Sequence, residues 1–90
     1  MFEWDENKNL SNIEKHGISF QTASQVFEDE NRIEMYDYVN STINEDRFRT
    51  IGLVDDVLFV VFTERKNAIR IISARRATPK ERRAYYASNL

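Results

Sequence analysis

The sequence feature that most constrains the fold is an almost continuously apolar segment, Val57 to Phe62. A short apolar run of this kind is typical of a central β-strand that is covered on both faces. Asp55-Asp56 before the segment predicts a tight hairpin turn. Lys66-Asn67 after it predicts a second turn, because Asn accepts left-handed backbone angles. The segment therefore predicts the middle strand of an antiparallel meander, running from Val57 to Arg65.

Three further segments have the composition of strands. Arg32 to Tyr38 and Arg47 to Val54 are rich in branched and aromatic residues, and the polar stretch Asn40 to Glu45 separates them. Ala68 to Arg75, after the second turn, contains three isoleucines. Together with the central segment they predict a four-stranded antiparallel sheet.

Helix signals stand on both sides of these strands. Asp5 to His16 reads as a helix that ends at Gly17, and Ser19 can cap a second short helix after it. Thr78-Pro79-Lys80-Glu81 combines a capping box with proline at the first helical position, and predicts a helix from Pro79 to about Ser88. The order α-α-β-β-β-β-α predicts an α+β fold whose two N-terminal helices and one C-terminal helix cover one face of the sheet.

Composition excludes several classes of protein. A chain of 90 residues with 41% apolar residues predicts one domain with one core, over residues 1 to 90. The absence of cysteine excludes disulfides and thiolate catalysis, and one histidine cannot build a zinc or iron site, so we expect no metal and no cofactor. Because no apolar run approaches the ~20 residues of a membrane span, we expect a cytoplasmic protein without a membrane partner.

Charge divides the chain in two. Residues 1 to 46 hold eleven acidic against three basic side chains, whereas residues 47 to 90 hold four against ten. Eight of those ten are arginines, whose planar fork matches phosphate oxygens in a way that lysine cannot. The basic half therefore predicts binding to a polyanion, with RNA favoured, and the alternative is that the two halves neutralise each other in the fold.

RNA supplies its own nucleophile, so a protein without metal can cleave it with a base, an acid and cations. His16 is the side chain best able to exchange protons near neutral pH, and Glu45 or Glu64 could replace it as the base. Arginines near strand ends would neutralise the phosphate, and the tyrosines of the last helix could stack on bases. The candidate cations and rings are Arg47, Arg65, Arg70, Arg75, Arg76, Tyr85 and Tyr86.

Each of these assignments has a structural alternative. A histidine at the end of a helix is more often a cap that compensates the helix dipole. Glu45 could pair with Arg47 or Arg49, and Glu64 could pair across strands with Arg70 or Arg75. For the two glutamates, structure and function are equally good explanations.

The order and spacing of many residues resemble the BrnT family of bacterial toxins. In the first half the matching segments are Phe2-Glu3-Trp4-Asp5, Lys15-His16-Gly17-Ile18-Ser19-Phe20, Ala23 and Val26-Phe27. In the second half they are Glu45-Asp46-Arg47 with Gly52, Val60-Val61-Phe62-Thr63-Glu64-Arg65, Arg70-Ile71-Ile72-Ser73-Ala74-Arg75-Arg76-Ala77 and Glu81-Arg82. The sequence departs from the family where Lys66-Asn67 occupies a turn in which glycine is common.

The resemblance implies a ribonuclease toxin of a type II toxin–antitoxin pair, with a RelE-like fold, that inhibits translation by cutting RNA. It implies a BrnA-like antitoxin of the ribbon-helix-helix type in a hetero-oligomeric complex, which would contact operator DNA through the antitoxin alone. Carried over by position, it implies catalysis by His16, Arg65 and Arg75. Phosphates would be held by Lys15, Arg47 and Arg76, and a base by Tyr85 or Tyr86. A non-catalytic module that binds nucleic acid or antitoxin is the alternative.

Overall fold

A computed structural model describes residues 1–89, and in that range the chain forms one five-stranded sheet with three α-helices and a short 3₁₀ helix. The strand order is β1-β5-β4-β3-β2, so the apolar strand β4 lies in the middle, as its composition predicts. The elements are β1 (Phe2–Glu3), α1 (Glu6–His16), α2 (Phe20–Ser24), the 3₁₀ helix (Gln25–Glu28), β2 (Ile33–Tyr36), β3 (Arg47–Val54), β4 (Asp56–Arg65), β5 (Ala68–Arg76) and α3 (Pro79–Ser88).

The strand β1 makes the sheet mixed, so the expectation of four antiparallel strands is wrong. Phe2 and Glu3 pair in parallel with Ile69 and Arg70 of β5, and the Met1 carbonyl accepts a hydrogen bond from the Ile69 amide at 2.9 Å. Two residues are too few to show an alternating pattern, and their partner strand lies more than sixty residues along the chain. Local sequence therefore carries no signal for β1.

The first face of the sheet is covered by α1 and α2. Asn12 of α1 replaces a missing strand at the edge of β5, because its side chain donates to the Ala74 carbonyl at 2.8 Å and accepts from the Ala74 amide at 3.2 Å. The buried core beneath these helices comprises Ile18, Phe20, Ala23, Val26, Leu58, Val60, Ile71 and Ala74.

The second face is covered by α3, which corrects the prediction that all helices lie on one face. Tyr85 of α3 is buried against Ile51, Val57 and Phe59, whose side chains alternate with those of the first core. This cover extends over one end of the face, where β3 and β4 meet at their hairpin. The other end of the face carries no helix in the described part of the chain.

Most predicted helix ends are confirmed. Asp5 and Ser19 cap α1 and α2, Thr78 forms the capping box of α3, and Gly17 ends α1 with a left-handed φ of 70°. The second hairpin differs in detail, because Lys66 rather than Asn67 adopts the positive φ, at 51°.

Candidate functional site

Two cross-strand rows of side chains lie on the uncovered end of the second face. Thr63 is buried, and all the other members of the two rows are partly exposed. The first row comprises Glu3, Arg70, Thr63 and Arg47, and the second comprises Ser73, Val61, Arg49 and Met35. These two rows, with Arg75 beside them in the next row, form what we call the open face.

A β-bulge brings two of the predicted arginines onto the same face. Arg70 and Arg75 are five residues apart, so in a regular strand their side chains would point to opposite faces. The register between β4 and β5 shifts at Val61/Phe62, which leaves Ile72 as the extra residue. The bulge therefore places Arg70 opposite Thr63 and Arg75 opposite Phe59, both on the open face.

Arg75 is held in a fixed orientation and still presents donors. Its guanidinium carbon lies 4.1 Å from the centre of the Phe59 ring, and Nη1 and Nη2 donate to the two carboxylate oxygens of Glu81 at 2.8 and 3.0 Å. Nη1 also donates to the Arg76 carbonyl. A guanidinium has five N–H groups, and three of them are used in these hydrogen bonds. The Nε–H and one Nη2–H remain, and they form an edge that can donate to two phosphate oxygens.

Two other arginines of the open face are also paired with carboxylates. Arg70 Nη1 lies 2.8 Å from Glu3, and Arg47 Nε lies 3.0 Å from Glu45. Both pairs are partly exposed, so each adds about 1 kcal/mol or less to stability. The main effect of these two ion pairs is to fix the orientation of the Arg70 and Arg47 guanidinium groups.

The ion pair between Arg47 and Glu45 lies beside a groove at the place where β3 begins and β4 ends. Glu45 also accepts from Arg65 at 3.2 Å, and hydrogen bonds from Arg47 and Arg65 lower the pKa of Glu45 below its ordinary value. A carboxylate held by two arginines is a poor base, so this geometry supports the ion-pair alternative for Glu45. Glu64 lines the same groove and is exposed, without an ion pair in residues 1–89.

Arg65 and Arg75 do not meet at one point. Arg75 is opposite Phe59, and Arg65 lies six residues further along β4, so their Cα atoms are about 20 Å apart at ~3.3 Å per residue. Arg75 is bound to Glu81 and Arg65 to Glu45, so as they are held the two side chains do not converge on one phosphate. The roles predicted for the two arginines therefore stay predictions for separate places.

Lys15 and His16 lie at the edge of the sheet next to β5. Both line a cleft with Ile72 and Ser73, and Lys8 lines it as well. Ser73 belongs to the open face, so this cleft adjoins it. Arg76 points the other way: it is opposite Leu58 of the first core, lies 3.5 Å from Asp56, and donates to the His16 carbonyl at 3.3 Å.

The two tyrosines of α3 have different environments. Tyr85 is 3% exposed and its hydroxyl donates to Asp29 at 2.6 Å, so its ring has no free face for a base, contrary to the expectation. Tyr86 is 49% exposed and lines a shallow apolar groove with Pro79 and Arg82. Of the two, Tyr86 alone has a ring surface open to a ligand.

Two residues of this region were not chosen as site residues from the sequence. Arg49 was expected only as a possible partner of Glu45, although its alternation with Arg47 on β3 places both on one face. Asp37 follows β2, is 1% exposed, and has no local pattern that predicts its burial.

Within residues 1–89, no helix is both long and apolar enough to cross a bilayer. In the same range no group of three or more His, Cys, Asp or Glu side chains is placed to hold a metal ion.

Comparisons with known proteins bear on the family and the fold. A family model described as "Ribonuclease toxin, BrnT, of type II toxin-antitoxin system" matches residues 4–81. A crystal structure of the Brucella abortus ribonuclease toxin BrnT is similar, with a TM-score of 0.68 and 25% sequence identity over 87% of this chain and 97% of that one. No match was found among curated proteins.

Proposed function

Because the chain belongs to the BrnT family of ribonuclease toxins of type II toxin–antitoxin systems, we propose that it binds RNA on the open face and cleaves it without a metal ion. The observation that carries the proposal is the free edge of Arg75, a residue of the open face whose guanidinium is fixed by Phe59 and Glu81 and keeps two N–H groups without an acceptor in residues 1–89. A preorganised donor pair of this kind stabilises charge that develops on a phosphate.

The proposed reaction uses the 2′-hydroxyl of the RNA as the nucleophile. It attacks the adjacent phosphorus, the bond to the 5′-oxygen of the next nucleotide breaks, and a 2′,3′-cyclic phosphate remains. Arg75 neutralises the negative charge on the phosphate. His16 at the adjoining cleft either takes the proton of the attacking 2′-hydroxyl or gives a proton to the leaving 5′-oxygen, and water exchanges the other proton. Lys15 is in the same cleft and can hold a neighbouring phosphate.

The remaining residues have supporting roles in this proposal. Arg47 and Arg70 bind phosphates at the far end of the open face, and Arg65 extends that path beyond the end of β4 with Glu64 beside it. Arg76 braces the end of α1 through the His16 carbonyl, and Tyr86 offers a ring to a base beside α3. Glu45 acts by orienting Arg47 and Arg65.

The proposal includes a partner. A type II pair has a protein antitoxin, and we assign a BrnA-like antitoxin of the ribbon-helix-helix type that silences the toxin in a cytoplasmic hetero-oligomer and represses the operon with it. The support is the family match; the relation of the fold to RelE-type ribonucleases belongs to the same proposal.

A second candidate function is a binding module without catalysis. It is favoured by the separation of the predicted catalytic arginines, because the Cα atoms of Arg65 and Arg75 are about 20 Å apart and the two side chains do not form one centre. A cleavage assay separates the two candidates.

The test is incubation of single-stranded RNA with the chain in EDTA, comparing wild type, Arg75→Lys and Lys80→Arg. Arg75→Lys keeps the charge and loses the two-donor edge, so we expect cleavage to fall about a hundredfold. Lys80 is exposed on α3 outside the Tyr86 groove and has no ion pair in residues 1–89, so its variant should cleave as wild type does. Intact RNA with wild type, or equal cleavage by Arg75→Lys, would refute the proposal.

A further inference from the structure

Arg49 differs from the other arginines of the open face because it has no carboxylate partner within residues 1–89. Arg47, Arg70 and Arg75 each make an ion pair, whereas Arg49 makes neither an ion pair nor a side-chain hydrogen bond. Its Nε–H is buried and unsatisfied, the only such side-chain atom in the described residues. A buried donor without an acceptor is costly, and Arg49 as a residue is partly exposed, so an anion that reaches its guanidinium group can supply the missing acceptor.

Asp37, whose pKa is lowered in part by the charge of Arg49, already has other hydrogen-bond partners. Asp37 accepts from the Asn40 amide and side chain at 3.2 and 2.8 Å, and so holds the loop after β2. Burial raises the pKa of Asp37, but the Asn40 hydrogen bonds and the positive charge of Arg49 outweigh it and lower the pKa below its ordinary value. Asp37 therefore stays ionised and stabilises the charge of Arg49 without accepting its protons.

The surroundings of Arg49 fit a nucleotide. Met35 and Val61 stand on either side of it in the same row, and both are half-buried apolar side chains. Arg75 lies two strands away and one row further, so the Cα atoms of Arg49 and Arg75 are about 12 Å apart at the usual strand spacings. Because both side chains are long, their forks can reach phosphates of the same short RNA segment.

We propose that Arg49 is a second phosphate-binding subsite, which holds an RNA phosphate next to the one that is cleaved, while Met35 and Val61 support the neighbouring sugar or base. This inference rests on the proposed function, since it places the substrate on the same open face. A carboxylate of the antitoxin is the other anion that could occupy the site. RNA is favoured because the apolar flanks suit a ring and Arg75 provides a second phosphate contact nearby.

The test measures binding of a 2′-O-methyl RNA, which cannot be cleaved, so its result does not depend on whether the chain is a ribonuclease. Arg49→Gln should weaken binding about tenfold, as expected for the loss of a charge-assisted hydrogen bond. It should also reduce the slope of log K against log salt by about 0.7, the loss of one single-strand phosphate contact. Lys80→Gln removes the same charge from an exposed place outside the Tyr86 groove and should change neither quantity.

A measurement without substitution accompanies this test, in case Arg49→Gln does not fold. In an NMR titration of the wild type, the Arg49 Nε–H signal should shift as the 2′-O-methyl RNA is added, while that of Arg32, whose Nε–H is bound to Glu34 away from the open face, stays in place. An unmoved Arg49 signal, an unchanged salt slope, or loss of antitoxin binding alone would overturn the inference. The proposed function fails separately, if wild type leaves ordinary RNA intact.

Discussion

The hydroxyl of Tyr85 joins three segments that are distant in sequence. It donates to Asp29, which follows the 3₁₀ helix, and the same Asp29 oxygen accepts from the Leu53 amide of β3 at 2.8 Å. Burial, and then the hydrogen bond to Asp29, raise the pKa of Tyr85 to about 12. The hydrogen bond therefore favours the protonated phenol in the folded state and fastens α3 to the sheet.

Tyr85→Phe should lower the free energy of unfolding by about 2 kcal/mol at neutral pH, because Asp29 loses a donor. The pKa of Tyr85 is raised on folding, so this contribution is complete below pH 10 and is lost as pH rises from 10 to about 12. Urea unfolding of both proteins at several pH values should show the difference disappear in that range. Tyr86→Phe is the matched control and should have no effect; a difference that persists at pH 12 would contradict the prediction.

Among single residues, the sequence predicts chemistry better than position. It identifies Arg75 as a candidate from residue type, yet it cannot show that Tyr85 is buried, since Tyr85 and Tyr86 are adjacent and chemically equal. Which of them faces the core depends on how α3 meets β3 and β4. That is a tertiary contact with no local pattern.

At the scale of elements, β3 approaches the 3₁₀ helix at Gly52. A Cβ on this residue would lie 2.7 Å from Val26 Cγ1 and 3.2 Å from Arg32 Cβ. Val26 is fully buried in the first core, so it has little room to move. The close approach explains glycine at a position in the middle of a strand, where glycine usually weakens the sheet.

Gly52→Ala should therefore lower the free energy of unfolding by about 1–3 kcal/mol through overpacking. In urea unfolding, Val26→Ala in the same chain should recover part of that loss, because it removes the methyl group that the new Cβ meets. Strictly additive losses in the double variant would show that the contact with Val26 is not the cause. Gly17→Ala gives a comparison of another kind, since nothing lies within 4 Å of its Cβ and only the backbone angle is strained.

Elements with strong local signals were predicted well, and those set by distant contacts were not. The capping box at Thr78 fixes the start of α3, and the apolar run fixes β4. The bulge at Ile72 and the pairing of β1 depend on register with other strands, so the sequence could not show that Arg70 and Arg75 share a face. The open face depends on the bulge and on the pairing of β1. The sequence could therefore identify members of this face but could not show that they lie together.

For the whole molecule, the acidic and basic halves neutralise each other only in part. Three ion pairs join residues before Asp46 to residues after it: Arg47 with Glu45, Arg65 with Glu45, and Arg70 with Glu3. Glu28 and Glu30 are exposed and make no ion pair within residues 1–89. Their charge adds to a negative field that an approaching RNA meets.

Replacing Glu28 and Glu30 with glutamine should accelerate association of single-stranded RNA about threefold at low salt, because repulsion at long range slows encounter. At high salt the field is screened and the rates should converge. Stopped-flow mixing with a labelled 2′-O-methyl RNA measures both conditions, and Glu14→Gln with Glu6→Gln on α1 gives a variant of equal charge at another place. An equal acceleration by both pairs would mean that net charge alone sets the rate. No acceleration by either would mean that the charge of the acidic half does not affect the association of RNA.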